Sequence, residues 1–333
     1  MHGHRARPQG PRHGPAGRGG GRAAAGRPRR RGARAGAGVS DLVGTGVRVS
    51  VPASTANLGS GFDALGLALG LRDEVDFTIT ASGLSITVEG AFTDVPTDEG
   101  HLVVQAFRKA CELHRISVPG LALTCRNSIP HSRGLGSSAA AVAAGVAAAS
   151  ALAGREPDAS ALQLAAEFEG HADNVAACLF GGVAIAWSDA GGYRAVRVDP
   201  HPDLSPVVLI PSQESSTKTT RGLLPARVPH SDAAHAAGRS ALAVHGLTRD
   251  PAVLLDALRD RLHEPYREPA WPATSRLVAE LREAGVPAAV SGAGPTVFAL
   301  PEGGVLPAEI DITGFQALAV PVDVDGVRVA PLG

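Results

Sequence analysis

The sequence predicts a chain of two domains that mix strands with helices. Three observations carry this expectation. The chain has 333 residues, 44% of them hydrophobic, which is enough for two ordinary cores. Short alternating runs that read as strands recur on both sides of helical stretches. Pro202 and Pro206 then punctuate the chain near residue 200, directly after a pair of strand-like runs. The expected organisation is a basic low-complexity extension over 1–45, a first domain over 46–200 and a second over 201–333.

Net charge is −1, which argues against wholesale binding to nucleic acid or to an anionic membrane. The total hides an asymmetry, because residues 1–40 contain many Arg and Gly but no Asp or Glu. Residues 1–45 lack the aliphatic side chains that would offset the entropy of ordering, so they read as disordered. Three readings of this stretch stay open: a nucleic-acid-binding tail, a transit peptide, and an upstream extension of a gene whose product begins near Val47. The three cysteines, Cys111, Cys125 and Cys178, sit in apolar contexts and read as reduced core residues of a cytoplasmic protein. No uninterrupted apolar run has membrane-spanning length.

Order begins with a strand at 47–51. Residues 52–66 form a polar, glycine-punctuated loop that runs into Leu65, Leu67 and Leu69. The runs 75–79 and 84–88 read as a strand pair joined at Ala81-Ser82-Gly83. Leu102, Ala106, Ala110 and Leu113 mark a helix, and 121–125 is a strand. Residues 139–153 are nearly all Ala and Val and read as a buried helix. Gly154 and Pro157 stop it, and a second helix spans 158–170. Strands at 182–187 and 193–198 close the first half. The second half reads as a strand at 207–210, a polar segment through Ser216 and Arg221, and helices at about 231–245, 251–262 and 277–284. A strand, glycine turn and strand follow over 288–300, then short strands at 317–324 and 327–329.

The stretch with most chemical content is Pro130-His131-Ser132-Arg133-Gly134-Leu135-Gly136-Ser137-Ser138-Ala139-Ala140. Gly134 and Gly136 permit positive φ and close approach by an anion. The helix behind them offers unpaired N–H groups and its positive dipole end. That suits phosphate; a plain Gly/Ser helix cap is the alternative. The loop is not a Walker A motif, since no Gly-Lys-Ser/Thr closes it. Lys109 and Lys218 are the only lysines and lie elsewhere, so phosphate charge falls to backbone N–H groups, a metal and Arg133. Further on, Leu162, Ala165, Ala166 and Glu169 share one helix face, which places Glu169 near the core. An unpaired carboxylate there costs roughly several kcal/mol. Ligation of a cation relieves that cost; fraying of the helix end into water is the alternative.

Three small-residue motifs occur in order: Pro52-Ala53-Ser54-Thr55-Ala56-Asn57-Leu58-Gly59-Ser60-Gly61-Phe62-Asp63-Ala64-Leu65-Gly66, the stretch from Pro130 to Ala140, and Ser291-Gly292-Ala293-Gly294-Pro295-Thr296. Together they resemble the three motifs of the GHMP kinase superfamily, over about residues 47–330. The first motif is similar to that of the homoserine kinase family. Glu169-Gly170-His171-Ala172-Asp173-Asn174, Ser216-Thr217-x-x-x-Arg221 and Glu264-Pro265-Tyr266-Arg267 point the same way. The resemblance implies an α+β, two-domain GHMP kinase fold, with an N-terminal domain like domain 2 of ribosomal protein S5 and a ferredoxin-like C-terminal domain. It implies ATP, Mg²⁺ and phosphorylation of the side-chain hydroxyl of L-homoserine on the route to threonine. Carried across by position, the stretch from Pro130 to Ala140 wraps the phosphates, and Ser291, Gly292 and Gly294 close over it. Ser138 (or Ser137) and Glu169 hold Mg²⁺. Asn57, Asp63, Asn174, Thr217, Arg221 and Arg267 hold homoserine, with Asn174, Asp173 and Arg221 nearest the chemistry.

The residue types fit that substrate on their own terms. A zwitterion needs cations for its carboxylate, which Arg221 and Arg267 can grip bidentately. It needs acceptors for its ammonium, which Asp63 and the side-chain oxygens of Asn57 and Asn174 provide. Each residue also has a plainer reading: Asp63 as a cap, the asparagines as turn formers, the arginines as surface charges, His171 as structural, and Asp173 as either an orienter of Asn174 or a weak base. Two other functions compete, a GHMP kinase for mevalonate-like or sugar substrates and a GHMP-fold protein that binds without turnover. Expected partners are small molecules only, with no nucleic acid and no membrane; the oligomeric state stays open, a homodimer among the alternatives.

Overall fold

The computed structural model describes residues 42–212 and 222–332. β1 (Gly46–Ala56) and β2 (Leu65–Thr80) are long antiparallel partners. Val47, Val49 and Val51 on β1 and Val75, Phe77 and Ile79 on β2 point inward at alternate positions, as one buried sheet face requires. β1 runs further than its composition suggested. Residues 52–56 continue as strand after a register shift between Pro52 and Ala53, and Ser54 and Thr55 are wholly buried. The loop of the first motif therefore starts only at Asn57.

β3 (Gly83–Gly90), α1 (Leu102–His114) and β4 (Gly120–Asn127) form a parallel crossover unit. The expected pairing of the runs 75–79 and 84–88 is corrected here, because β4 lies between β2 and β3. Burial decides the order. Leu121, Leu123 and Cys125 of β4 are buried and take the interior position, whereas alternate residues of β3 are exposed, as on an edge strand. Phe107 of α1 covers the sheet, its ring 5.3 Å from that of Phe77.

α2 (Ser137–Leu152) is the alanine-rich helix, buried on nearly every side. Its small residues let α1 approach closely: a Cβ on Gly145 would lie 2.6 Å from the Val103 carbonyl oxygen. α3 (Ala159–Glu169) is capped by Asp158, which accepts from Ser160 N and Ala161 N, and ends at left-handed Gly170. α4 (Asp173–Phe180), β5 (Val183–Asp189) and β6 (Gly192–Val198) complete the first half. The first sheet has the order β11 (Arg328–Pro331)-β1-β2-β4-β3, with β5 joined to the start of β2 and β6 to β5.

The second half contains β7 (Val207–Pro211), α5 (His230–Thr248), α6 (Leu254–Ala257), α7 (Glu264–Arg267), α8 (Pro272–Glu283), β8 (Ala288–Val290), β9 (Val297–Ala299) and β10 (Phe315–Ala319). The four strands are antiparallel in the order β10-β7-β9-β8. Numbered within this half, that is the 4-1-3-2 order of a ferredoxin-like sheet. The helix expected over 251–262 is only the 3₁₀ turn Pro251–Val253 and the single turn of α6. The chain is re-nucleated there by Asp260, whose carboxylate accepts from the N–H groups of Leu262, His263 and Glu264 and so starts α7. β11 (Arg328–Pro331) returns to the first sheet and pairs antiparallel with Val47 to Ser50. A division near residue 200 thus separates the two sheets in chain order, except for this last strand. Among the described residues no helix is long and apolar enough to cross a membrane.

Candidate active site

A cleft of about 320 Å³ opens in front of α2. Its walls bring together Asn57, Asp63, Ser132, Gly134, Gly136, Ser137, Ser138, Glu169, His171, Asp173, Asn174, Arg267 and Gly292, residues drawn from all three small-residue motifs and from α3, α4 and α7. Two sequence-predicted residues, Thr217 and Arg221, lie outside the described residues.

The serines do not cap α2, as their position suggested. The N-cap is Gly136, at φ 69°, and Ser137 and Ser138 already belong to the helix. No side chain caps this end. Its first N–H groups, with the positive end of the dipole, are therefore available to an anion in the cleft. The glycines serve the protein itself more than a ligand. A Cβ on Gly134 would lie 2.4 Å from the Ser291 carbonyl oxygen, and one on Gly136 would lie 2.1 Å from Ser54 Oγ. The second contact shows why β1 has to end in small polar residues. The third motif locks onto the second: Ser291 Oγ donates to the Gly134 carbonyl (2.6 Å) and, its one proton spent, accepts from Thr55 Oγ1 (2.9 Å), and Thr296 N donates to the Arg133 carbonyl (3.2 Å). Pro130 and Leu135 are buried, and Leu135 accepts from Ser54 N (3.1 Å), so the loop is anchored at both ends. The Arg133 guanidinium donates to the carbonyls of Pro211, His131 and Ser212. It is thus committed to the end of β7, whereas the sequence suggested that it would meet phosphate.

Glu169 closes the cleft beside the start of α2. Ser138 Oγ donates to Glu169 Oε1 at 2.5 Å, across 31 residues of sequence. Burial pushes the Glu169 carboxyl above its ordinary value; the Ser138 hydrogen bond and nearby His171 oppose this, and Asp173 adds to it. Among the described residues no group of three His, Cys, Asp or Glu side chains could hold a metal alone.

The same cleft holds the amide and carboxylate residues. Asp173, the first residue of α4, is buried; its Oδ1 accepts from His171 Nδ1 (2.7 Å) and from Asn174 N (2.7 Å). Of its two sequence readings, this geometry supports orienter over base. The carboxylate also fixes the proton of a neutral His171 on Nδ1 and leaves Nε2 as the basic nitrogen. His171, read from sequence as structural, lines the cleft. The asparagine oxygens, expected to receive an ammonium, each accept one hydrogen bond within the protein, which leaves each a second lone pair. Asn57 Oδ1 accepts from Asp63 N (2.9 Å) while its Nδ2 donates to the Gly292 carbonyl (2.8 Å), and Asn174 Oδ1 accepts from Ser54 Oγ (2.9 Å). Asn57 and Asp63 have positive φ, 67° and 54°, so the loop between them is held in a conformation that Asn and Asp tolerate better than most residues. Arg267 is buried, and Nη1 donates to the Gly292 carbonyl (3.1 Å).

A second cavity of about 300 Å³ adjoins the first and shares Ser132, Ser137 and Ser138 with it. Its apolar walls include Val51, Val75, Val95, Pro96, Leu102 and Val103, and its polar groups, besides the shared serines, are Asp73, Asp94, His101, Asn127 and His131. His101 is 5% exposed, and its Nδ1 has no hydrogen-bond partner. Burial and nearby His131 hold its pKa below the ordinary histidine value. Asp73 accepts from Ser128 N and Ile129 N, and burial raises its carboxyl to about 6. Sequence reasoning singled out neither residue.

An uncapped helix end, an adjoining apolar pocket and a carboxylate–hydroxyl pair define a small-molecule kinase of the GHMP class. The GHMP kinases N terminal domain family matches residues 101–182 and the GHMP kinases C terminal family matches residues 241–309. A homoserine kinase of Streptomyces coelicolor is 49% identical over 293 residues, covering 86% of this chain and 95% of the relative. One of Rhodococcus erythropolis is 52% identical over 273 residues, 78% of this chain and 87% of the relative. Among solved structures, the homoserine kinase of Cytophaga hutchinsonii superposes with a TM-score of 0.74 at 28% identity, covering 86% and 97% of the two chains. The chain belongs to the homoserine kinase family of GHMP kinases.

Proposed function

We propose that the chain transfers the γ-phosphoryl group of ATP to the side-chain hydroxyl of L-homoserine, giving O-phospho-L-homoserine and ADP, in threonine biosynthesis. The observation that carries the reading is a single cleft that brings the uncapped α2 end and the Ser138–Glu169 pair together with Asn57, Asp63, Asn174 and Arg267. The first group would serve the phosphate donor and the second the acceptor. The second cavity suits the base of ATP. It has apolar walls on Val51, Val75, Val95, Leu102 and Val103, opens onto the phosphate loop, and carries a buried, unpartnered His101 nitrogen able to meet one edge of a purine.

The triphosphate would lie against the N–H groups of the first turn of α2 and the backbone from Gly134 to Ser138, closed over by Ser291, Gly292 and Gly294. Ser138 Oγ and Glu169 would hold Mg²⁺, with phosphate oxygens and water completing a shell that this ion rarely takes from protein alone. When bound, Mg²⁺ neutralises charge on the β- and γ-phosphates. Arg267, with Arg221, would grip the homoserine carboxylate, and Asp63 the ammonium. Asn174, turned by Ser54 so that Oδ1 is engaged, offers its Nδ2 donor toward the reacting oxygens. Asp173 acts by orienting Asn174 and His171. Phosphoryl transfer needs positioning and charge neutralisation more than a strong base. Three free, buried cysteines favour a reducing, cytoplasmic setting.

The test is ADP release with L-homoserine, mevalonate and galactose offered in parallel. Turnover on homoserine alone is expected. Turnover only on mevalonate or galactose removes the substrate assignment, and nucleotide binding with no turnover on any of the three removes the enzyme reading.

A further inference from the structure

We propose that His263 is a positioning residue for the substrate side of the cleft, setting the Arg267 guanidinium through a hydrogen bond that only the neutral, Nε2-protonated ring can accept. The inference rests on the reading of Arg267 as a clamp for the substrate carboxylate and deepens it. His263 is completely buried just before α7 and does not line the cleft, so it acts through its neighbours. Its Nδ1 lies 3.1 Å from Arg267 Nη1. A guanidinium only donates, so Nδ1 must accept. Its Nε2 lies 2.8 Å from the Gly59 carbonyl oxygen. A carbonyl only accepts, so Nε2 must carry the proton. The two contacts together admit one tautomer and exclude the imidazolium.

The ring is held on its flat side as well. Phe62 stacks on it with centroids 5.4 Å apart, and the Arg267 guanidinium carbon lies 5.7 Å from the centre of that same Phe62 ring. One imidazole thus ties the loop that presents Asn57 and Asp63 to the helix that presents Arg267. Among the nearby charged groups, Asp260 Oδ2 is 3.7 Å from Nε2 but is engaged by the N–H groups of His263 and Glu264, and Glu264 is paired with Arg282. Neither competes for Nδ1.

Two near-isosteric variants separate the contacts. His263→Asn places an oxygen where Nδ1 stands and keeps an acceptor for Arg267. His263→Gln places an amide nitrogen where Nε2 stands and keeps the donor for Gly59, but loses the acceptor. Removing one hydrogen bond from a charged group corresponds to about a tenfold effect. His263→Gln should therefore raise the KM for homoserine about tenfold and leave the KM for ATP within about twofold. His263→Asn should stay within about threefold on both. Equal effects of the two variants on homoserine KM, or effects confined to thermal stability, overturn the proposal. If His263→Gln does not fold, the coupling of His263→Leu, which removes the acceptor, with Arg267→Lys replaces it: non-additive effects on homoserine KM are expected, and additive ones overturn the role. Arg267→Ala keeps the two levels apart. A raised homoserine KM there with none in His263→Gln removes His263 alone, whereas an unchanged KM in Arg267→Ala removes the clamp and His263 with it.

Discussion

Gly134→Ala is the sharpest probe of the interlocked glycine loops. At φ +82° the new residue carries a left-handed penalty of about 1–2 kcal/mol. Its Cβ would sit 2.4 Å from the Ser291 carbonyl oxygen and 2.8 Å from that of Gly294. Both are backbone atoms and cannot rotate away, so the loops must part by about half an ångström or more. Parting stretches the Ser291 Oγ bond to Gly134 and the Thr296 N bond to Arg133, each worth about 1 kcal/mol. The expected loss of stability is about 3–4 kcal/mol. Gly154→Ala supplies the control. It has a similar φ of +70° but open space around the Cβ, so it should lose only about 1 kcal/mol. Urea unfolding of both variants measures the difference. Initial rates with ATP varied measure the function: Gly134→Ala should raise the KM for ATP at least about tenfold, because the phosphate-facing N–H groups move with the loop. Gly154→Ala should not. Equal stability losses for the two, or an unchanged KM for ATP in Gly134→Ala, refute the interlock.

Glu169→Gln should raise the Mg²⁺ concentration for half-maximal rate by about tenfold or more, and an unchanged Mg²⁺ titration excludes Glu169 as a ligand. Folding raises the proton affinity of this carboxyl, so its contribution to stability is present at low pH and lost as pH rises through the folded value. The variant should therefore be no less stable than the parent at about pH 8 and show a flatter stability profile. Asp73→Asn tests the same sign where the value is set. The folded carboxyl titrates at about 6 against 3.8 for the free group, so stability relative to the variant should fall between those values, and urea midpoints that keep the parent's pH slope contradict it.

The part of the cleft formed by the Gly134–Ser138 loop and Glu169 was legible because its signals are local. The Gly134–Gly136 spacing before an alanine run marks a helix start, and the spacing from Leu162 to Glu169 puts that carboxylate on the inner face. Asn57, Asp63, Asn174 and Arg267, scattered through the chain, do reach one cleft, and the motifs that contain them were the guide. What stayed hidden depends on three-dimensional neighbours. His101 sits just ahead of a helix and Asp73 inside a strand, positions with no distinctive spacing; burial without a partner, and burial with a raised pKa, are what single them out. The sequence shows that Asn57 and Asn174 are amides but not which atom each has already committed. The placement of β4 between β2 and β3 was missed for a related reason: adjacency in sequence favours a hairpin, while the fuller burial of β4 favours the interior place.

The return of β11 to β1 bears on how the chain is made. β1 has one neighbour on its outer side, and that neighbour is translated after every other strand described. Throughout synthesis of the second half, at roughly 5–20 residues per second, the outer N–H and C=O groups of Val47 to Ser50 form a bare sheet edge on the very strand that leads to the substrate loop. Nascent chains on one polysome present this edge to each other. A stop codon or proteolytic clip that removes the chain from Arg328 onward leaves every cleft residue in place, yet it exposes that edge for good. Its signature would be aggregation and poor yield of enzyme, not altered kinetics of the molecules that survive.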